Sequence, residues 1–209
     1  EVAEGNKIAA IVDKLALSHP EVFFKLVRDN KQALCTPGDG QISSTIYSVY
    51  GKKFFDGIIP VDYEFNGIKL EGYISKPEKC RTVRSMQNFF VNGRLVKCKL
   101  ASNALEEAFK NSIMVGKKPC CVLYLKIAFE LVDVNVHPSK IEIKFANEEE
   151  VSEVIYSGVQ LALNQYKLKT CPLGETESIL NSDKILNFDK KSNLINYDFL
   201  NNKFGNLKE

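Results

Sequence analysis

Two runs of alternating residues meet at a proline between Val132 and Phe145, and no other stretch restricts the fold so tightly. Val132, Val134 and Val136 alternate with Asp133, Asn135 and His137. Ile141, Ile143 and Phe145 then alternate with Lys140, Glu142 and Lys144. A period of two puts one set on a buried face and the other in water, so the stretch reads as two half-buried strands. Pro138 lies between them; it has no N–H to give a ladder, and it marks the break. Lys140 follows at the mouth of the second strand. Little of its supporting backbone is free to move, so its amine is well placed to reach an anionic ligand. On residue type alone, Lys140 would be an ordinary solvated lysine and His137 a structural residue.

Turn signals divide the rest of the chain. Glu4 to Leu17 carries Ile8, Ile11, Val12 and Leu15 at helical spacing, and Ser18-His19-Pro20 ends that helix. Val22 to Val27 and Gln32 to Cys35 flank a turn at Arg28 to Lys31 and predict a hairpin. Pro37-Gly38-Asp39-Gly40 is a turn from which Asp39 or Gly40 opens a helix, with Ile42, Ile46 and Val49 on one face and Gly51 as its cap. Ile58 to Phe65 and Ile68 to Ile74 flank Asn66-Gly67, the strongest short-range hairpin signal. Met86 to Val91 reaches a second such turn at Asn92-Gly93, and Arg94-Leu95-Val96 returns. Leu100 to Ile113 is helical, with Leu100, Ala104, Leu105 and Ala108 as its buried stripe. Cys120 to Ala128 is apolar without alternation, which predicts a central strand. Glu148-Glu149-Glu150 favours a helix start through the macrodipole. Val151, Val154, Ile155, Val159, Leu161 and Ala162 carry that helix to about Lys167. Residues 168–209 turn to Asn, Lys, Asp and Ser, the composition of a polar linker. The expected organisation is one domain over 1–167 and a tail over 168–209. The element order gives an α+β class, an α/β sandwich with a mixed sheet.

The formal net charge is +2 over 209 residues, too small for a whole-chain electrostatic argument. The distribution says more. Lys76 to Lys118 holds ten basic residues against three acidic ones, a surplus of seven. Either those cations form an anion-facing surface or they are scattered around the domain. The six cysteines include no C-x-x-C pair, and the two histidines are far from any cysteine pair, so zinc is not expected. Free thiols as small core hydrophobes fit a reducing cytoplasmic setting. No signal peptide or membrane-length apolar run occurs, and no membrane partner is expected.

The string D-V-N-V-H-P-S-K-I-E-I-K-F at Asp133 to Phe145, with F-F-V-N-G-R-L-V at Phe89 to Val96, resembles the MutL-type DNA mismatch repair proteins. It matches the second, transducer half of their GHKL-type ATPase region, over about residues 1 to 167. The resemblance implies the ribosomal-protein-S5-like fold, shared with the second domains of the DNA gyrase B subunit and related ATPases. That fold includes a left-handed β-α-β crossover, where pattern alone would give the common right hand. It also implies that the ATP-binding half, with its acidic base, magnesium-binding Asn and glycine-rich lid, lies ahead of this chain. ATP with Mg2+ is then a cofactor of the full-length protein, and this chain alone should hold no cofactor and hydrolyse no ATP. E-x-x-x-N spacing at Glu107 to Asn111 and Glu177 to Asn181 lacks a D-x-G-x-G companion and reads as chance. The implied partners are DNA without sequence preference, a MutS-type mismatch-recognition protein and a second copy in a homodimer. In a bacterium the setting would be nucleoid-associated.

By motif match, Lys140 is the family's lysine that contacts the γ-phosphate, a catalytic and nucleotide-binding role, while Asn135, His137 and Pro138 shape its loop. Lys99 matches a basic residue that lines a DNA groove in the family; there it is usually arginine, so the bidentate fork is lost and the charge kept. Lys97 and Arg94 are the neighbouring candidates. Phe89 and Phe90 are expected in the core. A stand-alone nucleic-acid-binding module on the same fold, without ATP coupling, is the alternative. A small-molecule kinase would need a glycine-rich phosphate loop, and Pro37 to Gly40 is a turn.

Overall fold

In a computed structural model, the structure describes residues 2–134 and 143–170. Asn135, His137, Pro138 and Lys140 lie outside the described residues, as does the stretch beyond Thr170.

Two hairpins with the same turn chemistry build the main sheet. Strands β3 (Ile58–Phe65) and β4 (Ile68–Ser75) pair antiparallel from Ile58↔Ser75 to Phe65↔Ile68. Asn66 and Gly67 have φ of 49° and 75°, the left-handed pair that a two-residue turn needs to match strand twist. Strands β5 (Gln87–Val91) and β6 (Arg94–Val96) are joined in the same way by Asn92 and Gly93, with φ of 47° and 80°. Strand β7 (Cys121–Lys126) lies between the hairpins in the order β3-β4-β7-β5-β6, antiparallel to β4 and parallel to β5. The parallel pairing needs a crossover, supplied by β6 and helix α4 (Lys99–Phe109). The central position of β7 explains its missing alternation, since Cys121 to Leu125 are all buried. At Gly72, φ is 134° and a Cβ would lie 2.1 Å from the Val122 carbonyl oxygen, so β4 and β7 close only around glycine.

Both faces of the sheet are covered. On one, Ile59, Val61, Leu70, Phe89 and Leu123 pack with α4 and with α5 (Glu148–Thr170). Gly158 of α5 sits tight on the strands: a Cβ there would be 2.8 Å from Leu70 Cδ2 and 2.9 Å from Tyr63 Cβ. On the other face, Phe90, Val122 and Tyr124 are buried with Leu17 of α1 (Val2–Ser18) and Ile46 of α2 (Ile42–Tyr50). Phe54 and Phe55 of the short α3 (Lys52–Phe55) pack against that cluster. Phe90 stacks on Tyr124 with ring centroids 4.9 Å apart, and the Tyr124 hydroxyl donates to the Leu17 carbonyl at 2.6 Å. Tyr50 accepts from the Asn88 amide at 3.0 Å, and burial pushes its phenol up to about 12.

Two ribbons stand apart from this sheet. Strands β1 (Lys25–Arg28) and β2 (Lys31–Cys35) pair with each other through Asp29 and Asn30, at φ of 51° and 58°. Strands β8 (Val132–Asp133) and β9 (Lys144–Phe145) pair as Val132↔Phe145 and Asp133↔Lys144.

Several expected boundaries move. The first hairpin strand begins at Lys25 rather than Val22, because the buried Thr36 hydroxyl takes over there, accepting the Phe24 N–H at 2.9 Å and donating to the Val22 carbonyl at 3.3 Å. Helix α2 starts at Ile42, and Asp39 instead accepts the Gln41 N–H at 2.9 Å in the turn before it. Helix α4 ends at Phe109, four residues early, where Ser112 donates to the Phe109 carbonyl at 2.8 Å in a tighter turn. Asn111 and Ser112 are poor helix residues that compete for the backbone. Leu161, placed on the stripe of α5, is 39% exposed. The stripe of α1 is in water too: Ile8, Ile11 and Leu15 are 56%, 60% and 46% exposed. Among the described residues no helix is long and apolar enough to cross a membrane. The described residues up to Tyr166 belong to one compact unit.

Candidate functional site

Three of the candidate cations fall together where β6 runs into α4. Arg94 opens β6 opposite Val91, Lys97 follows the strand, and Lys99 is the first residue of the helix. All three are exposed, and none makes an ion pair or a side-chain hydrogen bond among the described residues. The helix is capped by Cys98, whose Sγ accepts the Ala101 N–H at 3.4 Å. A lysine at the first helical position opposes the macrodipole, so Lys99 does nothing for the stability of α4. Its cation, with the helix amide dipoles behind it, faces solvent as a site for negative charge.

Arg94 does not brace its hairpin. That work belongs to Asn92, which sequence reasoning saw only as a turn former. Its Oδ1 accepts the Ile127 N–H at 3.1 Å and its Nδ2 donates to the Ile127 carbonyl at 2.8 Å. The turn is thereby locked to the end of β7, on the side that leads toward β8.

Much of the remaining basic surplus is spent inside the fold. Arg84 grips Glu106 with two bonds of 2.6 and 2.9 Å, and Lys118 reaches the same carboxylate at 2.5 Å. Burial alone would raise the Glu106 carboxyl, but bonds from Arg84, Lys118 and Gln87 bring it down to about 2. Lys110 pairs with Glu107 at 3.0 Å. Lys76 donates to the Asp56 carbonyl at 2.8 Å and lies 5.6 Å from the centre of the Tyr166 ring. The central basic segment is therefore split: one part pairs within the fold, while among the described residues Arg94, Lys97 and Lys99 stay unpaired at the start of α4 and Lys117 beyond its end.

The ribbon β8–β9 is the stem of the Val132 to Phe145 stretch. Phe145 is buried in the core beside α4 and α5, with Val132 and Ile143 packed against it, while Lys144 faces water. The Ala146 N–H donates to the Leu131 carbonyl at 2.9 Å and ties the base. Just ahead, in a single 3-10 turn over Phe129–Leu131, Phe129 is 79% exposed. The described residues stop at Val134 and resume at Ile143; Lys140 and the residues expected to shape its loop, Asn135, His137 and Pro138, lie between, outside the described residues. A shallow concavity of about 530 Å³ lies elsewhere, between the first ribbon and α2, and its lining, which includes Phe23, Pro37, Tyr47 and Phe55, carries no charge that would suit a phosphate.

Residues 46–164, more than half of the chain, match the family model described as DNA mismatch repair protein, C-terminal domain. The DNA mismatch repair protein MutL of Thermoanaerobacter pseudethanolicus is 40% identical over 165 residues, which cover 79% of this chain and 27% of that protein. MutL of Agathobacter rectalis is 42% identical over 148 residues, covering 71% and 23%. The chain thus spans about a quarter of the length of these relatives. Among solved structures, the N-terminal domain of a DNA repair protein aligns with a TM-score of 0.64 at 23% identity, over 76% of this chain and 53% of that one. A variant ATPase domain of Aquifex aeolicus MutL aligns at 0.50 and 18% identity, over 75% and 52%. At such identities the solved structures speak to the fold alone, a mixed sheet with flanking helices of the S5-like kind.

Proposed function

Since this chain belongs to the MutL-type family of DNA mismatch repair proteins and carries its transducer-like domain, we propose that it couples the nucleotide state of an ATP-binding domain to DNA and partner engagement. The observation that carries the reading is the separate β8–β9 stem. It is anchored in the core through Phe145 but pairs outside the main sheet, and Lys140 falls between its two strands in the sequence. Lys140, in that segment, would meet the γ-phosphate of ATP bound with Mg2+ in the neighbouring domain. Phosphoryl transfer is mostly positioning and stabilisation of charge on the γ-phosphate oxygens, which a lysine amine supplies directly. The contact exists with the triphosphate and is lost after hydrolysis, so the same amine links domain orientation to nucleotide state.

The exposed stripe on α1 supports a neighbouring domain. A stand-alone nucleic-acid module would have no reason to leave Ile8, Ile11 and Leu15 in water. The cations Arg94, Lys97 and Lys99 support a phosphate-led, sequence-independent hold on DNA. A MutS-type protein as partner and a homodimer as the working assembly follow from the family.

The test is Lys140→Ala in the whole protein. ATP turnover should fall by about tenfold or more, the scale of a lost charge-assisted hydrogen bond, with the melting temperature unchanged. Turnover equal to the unsubstituted protein would overturn the sensing role.

A further inference from the structure

The far end of α4 carries a feature that ATP sensing does not use. Beyond Phe109 the chain forms a tight turn in which the Lys117 N–H donates to the Met114 carbonyl at 3.1 Å and Gly116 takes a φ of 84°. A positive φ at the third position of such a turn is a type II signature, and glycine is the residue that adopts it freely. At its tip Met114 is 81% exposed and Val115 is fully exposed, at 106% of its reference area. Two adjacent large apolar side chains left so far in water contribute little to folding.

The tip is also held rigid. Arg81 and Lys118 exchange backbone hydrogen bonds of 2.9 and 2.6 Å at its base, and Glu106 clamps Lys118 to Arg84. Lys110, Lys117 and Lys118 line the same hollow as Met114 and Val115, with the two carboxylates Glu106 and Glu107, and Arg81 and Arg84 join at its base. Lys117 makes no ion pair among the described residues. An apolar point in a basic collar complements a ligand whose surface is anionic and whose interior is flat and apolar. Duplex DNA has that make-up, and partly unstacked base steps accept apolar wedges such as methionine.

Geometry links the tip to the proposed DNA cations. Lys99, Asn103, Glu107 and Lys110 form the exposed stripe of α4. The helix has 11 residues, so its two ends lie about 16 Å apart. That is roughly five base steps of one strand, within reach of a single duplex.

We propose that the Ile113 to Lys118 turn is a second DNA contact, in which Met114 and Val115 press against an unstacked base step while Lys110 and Lys117 meet the flanking phosphates. It rests on the reading that Lys97 and Lys99 hold DNA, and adds distortion of the duplex at the opposite end of α4. Glu107 lies one turn before Lys110, which it pairs with, and opposes the backbone it would face.

The test uses the full chain and a short duplex with 2-aminopurine at a flexible pyrimidine–purine step. Binding should raise the 2-aminopurine fluorescence. The double variant Met114→Ala, Val115→Ala should abolish that rise and weaken binding about tenfold, the scale of a lost stacking contact. The slope of log affinity against log salt should stay the same, because no cation is removed. Lys110→Gln with Lys117→Gln should instead reduce the slope by about two, and Glu107→Gln should tighten binding. If the unsubstituted chain binds, Lys99→Glu weakens it and the alanine pair changes neither affinity nor fluorescence, the wedge is overturned and the DNA reading stands; the tip is then a protein contact. If no duplex is retained in low salt, the DNA reading fails and the wedge with it. Unchanged melting temperatures keep either result from being a folding defect.

Discussion

Glu106 shows how a single carboxylate can organise a surface. Its carboxyl sits near 2 instead of the usual 4.5, so the bonds from Arg84 and Lys118 stabilise the fold while it is ionised. The folded value is the lower one. The contribution is therefore complete above about pH 4.5 and is lost as the pH falls toward 2. Arg84 is 56% exposed, and solvent screening limits the net effect to about 1–2 kcal/mol. Glu106→Gln should lower the melting temperature at neutral pH by about 2–4 °C per kcal/mol. The gap to the unsubstituted chain should close on acidification below pH 4.5; a gap that ignores pH would show that shape, not charge, holds the cluster. Lys99 gives the complementary case. Lys99→Glu places a carboxylate at a helix N-terminus, which favours α4 by about 0.3–1 kcal/mol, yet it should weaken DNA retention in low salt. Stability and binding are expected to move in opposite directions, and a binding assay beside a thermal melt reads both. The charge of Lys99 was legible in the sequence. The role of Asn92 was not, because its partner Ile127 lies 35 residues away and no local pattern encodes such a bond.

At the scale of elements, what could be read locally was read well. Asn66-Gly67 and Asn92-Gly93 dictate left-handed turn residues whatever surrounds them, so both hairpins were visible in the letters, and the unbroken apolar run of β7 marked its central place. Periodicity was a poorer guide to burial. It identifies an apolar face but not whether anything covers it, so α1 formed as expected while its stripe remained in water. The limit of β1 depended on Thr36, whose hydroxyl bonds compete with regular structure, and that of α4 on a tighter turn closed by the Ser112 backbone N–H. Close packing is equally silent in a sequence. Nothing in the pattern of α5 singles out Gly158, yet a methyl group there must displace Leu70 and Tyr63 from contacts of 2.8 and 2.9 Å. Gly158→Ala improves helix propensity by about 1 kcal/mol, and overpacking costs about 1–3 kcal/mol. The net expectation is a lower melting temperature, read directly in a thermal scan. A rise would mean that α5 can lift off the sheet without loss.

For the whole molecule, the uncovered stripe on α1 weighs most. Ile8, Ile11 and Leu15 share one helix face and leave about half of their surface or more to solvent, while Ala16 and Leu17 on the same helix are fully buried. One side of α1 is thus committed to the sheet, and the other leaves apolar side chains in solvent, where the proposed neighbouring domain would rest. Arg28 reaches Asn6 at 2.7 Å and fixes the first ribbon to this helix, so both would move together with whatever covers them. The double substitution Ile8→Glu, Ile11→Glu separates the possibilities. In the chain alone it should shift stability by no more than about 0.5 kcal/mol, as for other exposed positions, since glutamate is a good helix former. In the whole protein the same pair would bury two carboxylates in an apolar contact, which costs several kcal/mol per ion. There the domain contact should open, ATP turnover should fall as it does for Lys140→Ala, and thermal unfolding should resolve into two transitions. Loss of stability in the chain alone would show that the stripe is already part of its core. Wild-type turnover with a single transition in the whole protein would show that no neighbouring domain rests on this face, and the coupling proposed for Lys140 would then need another support.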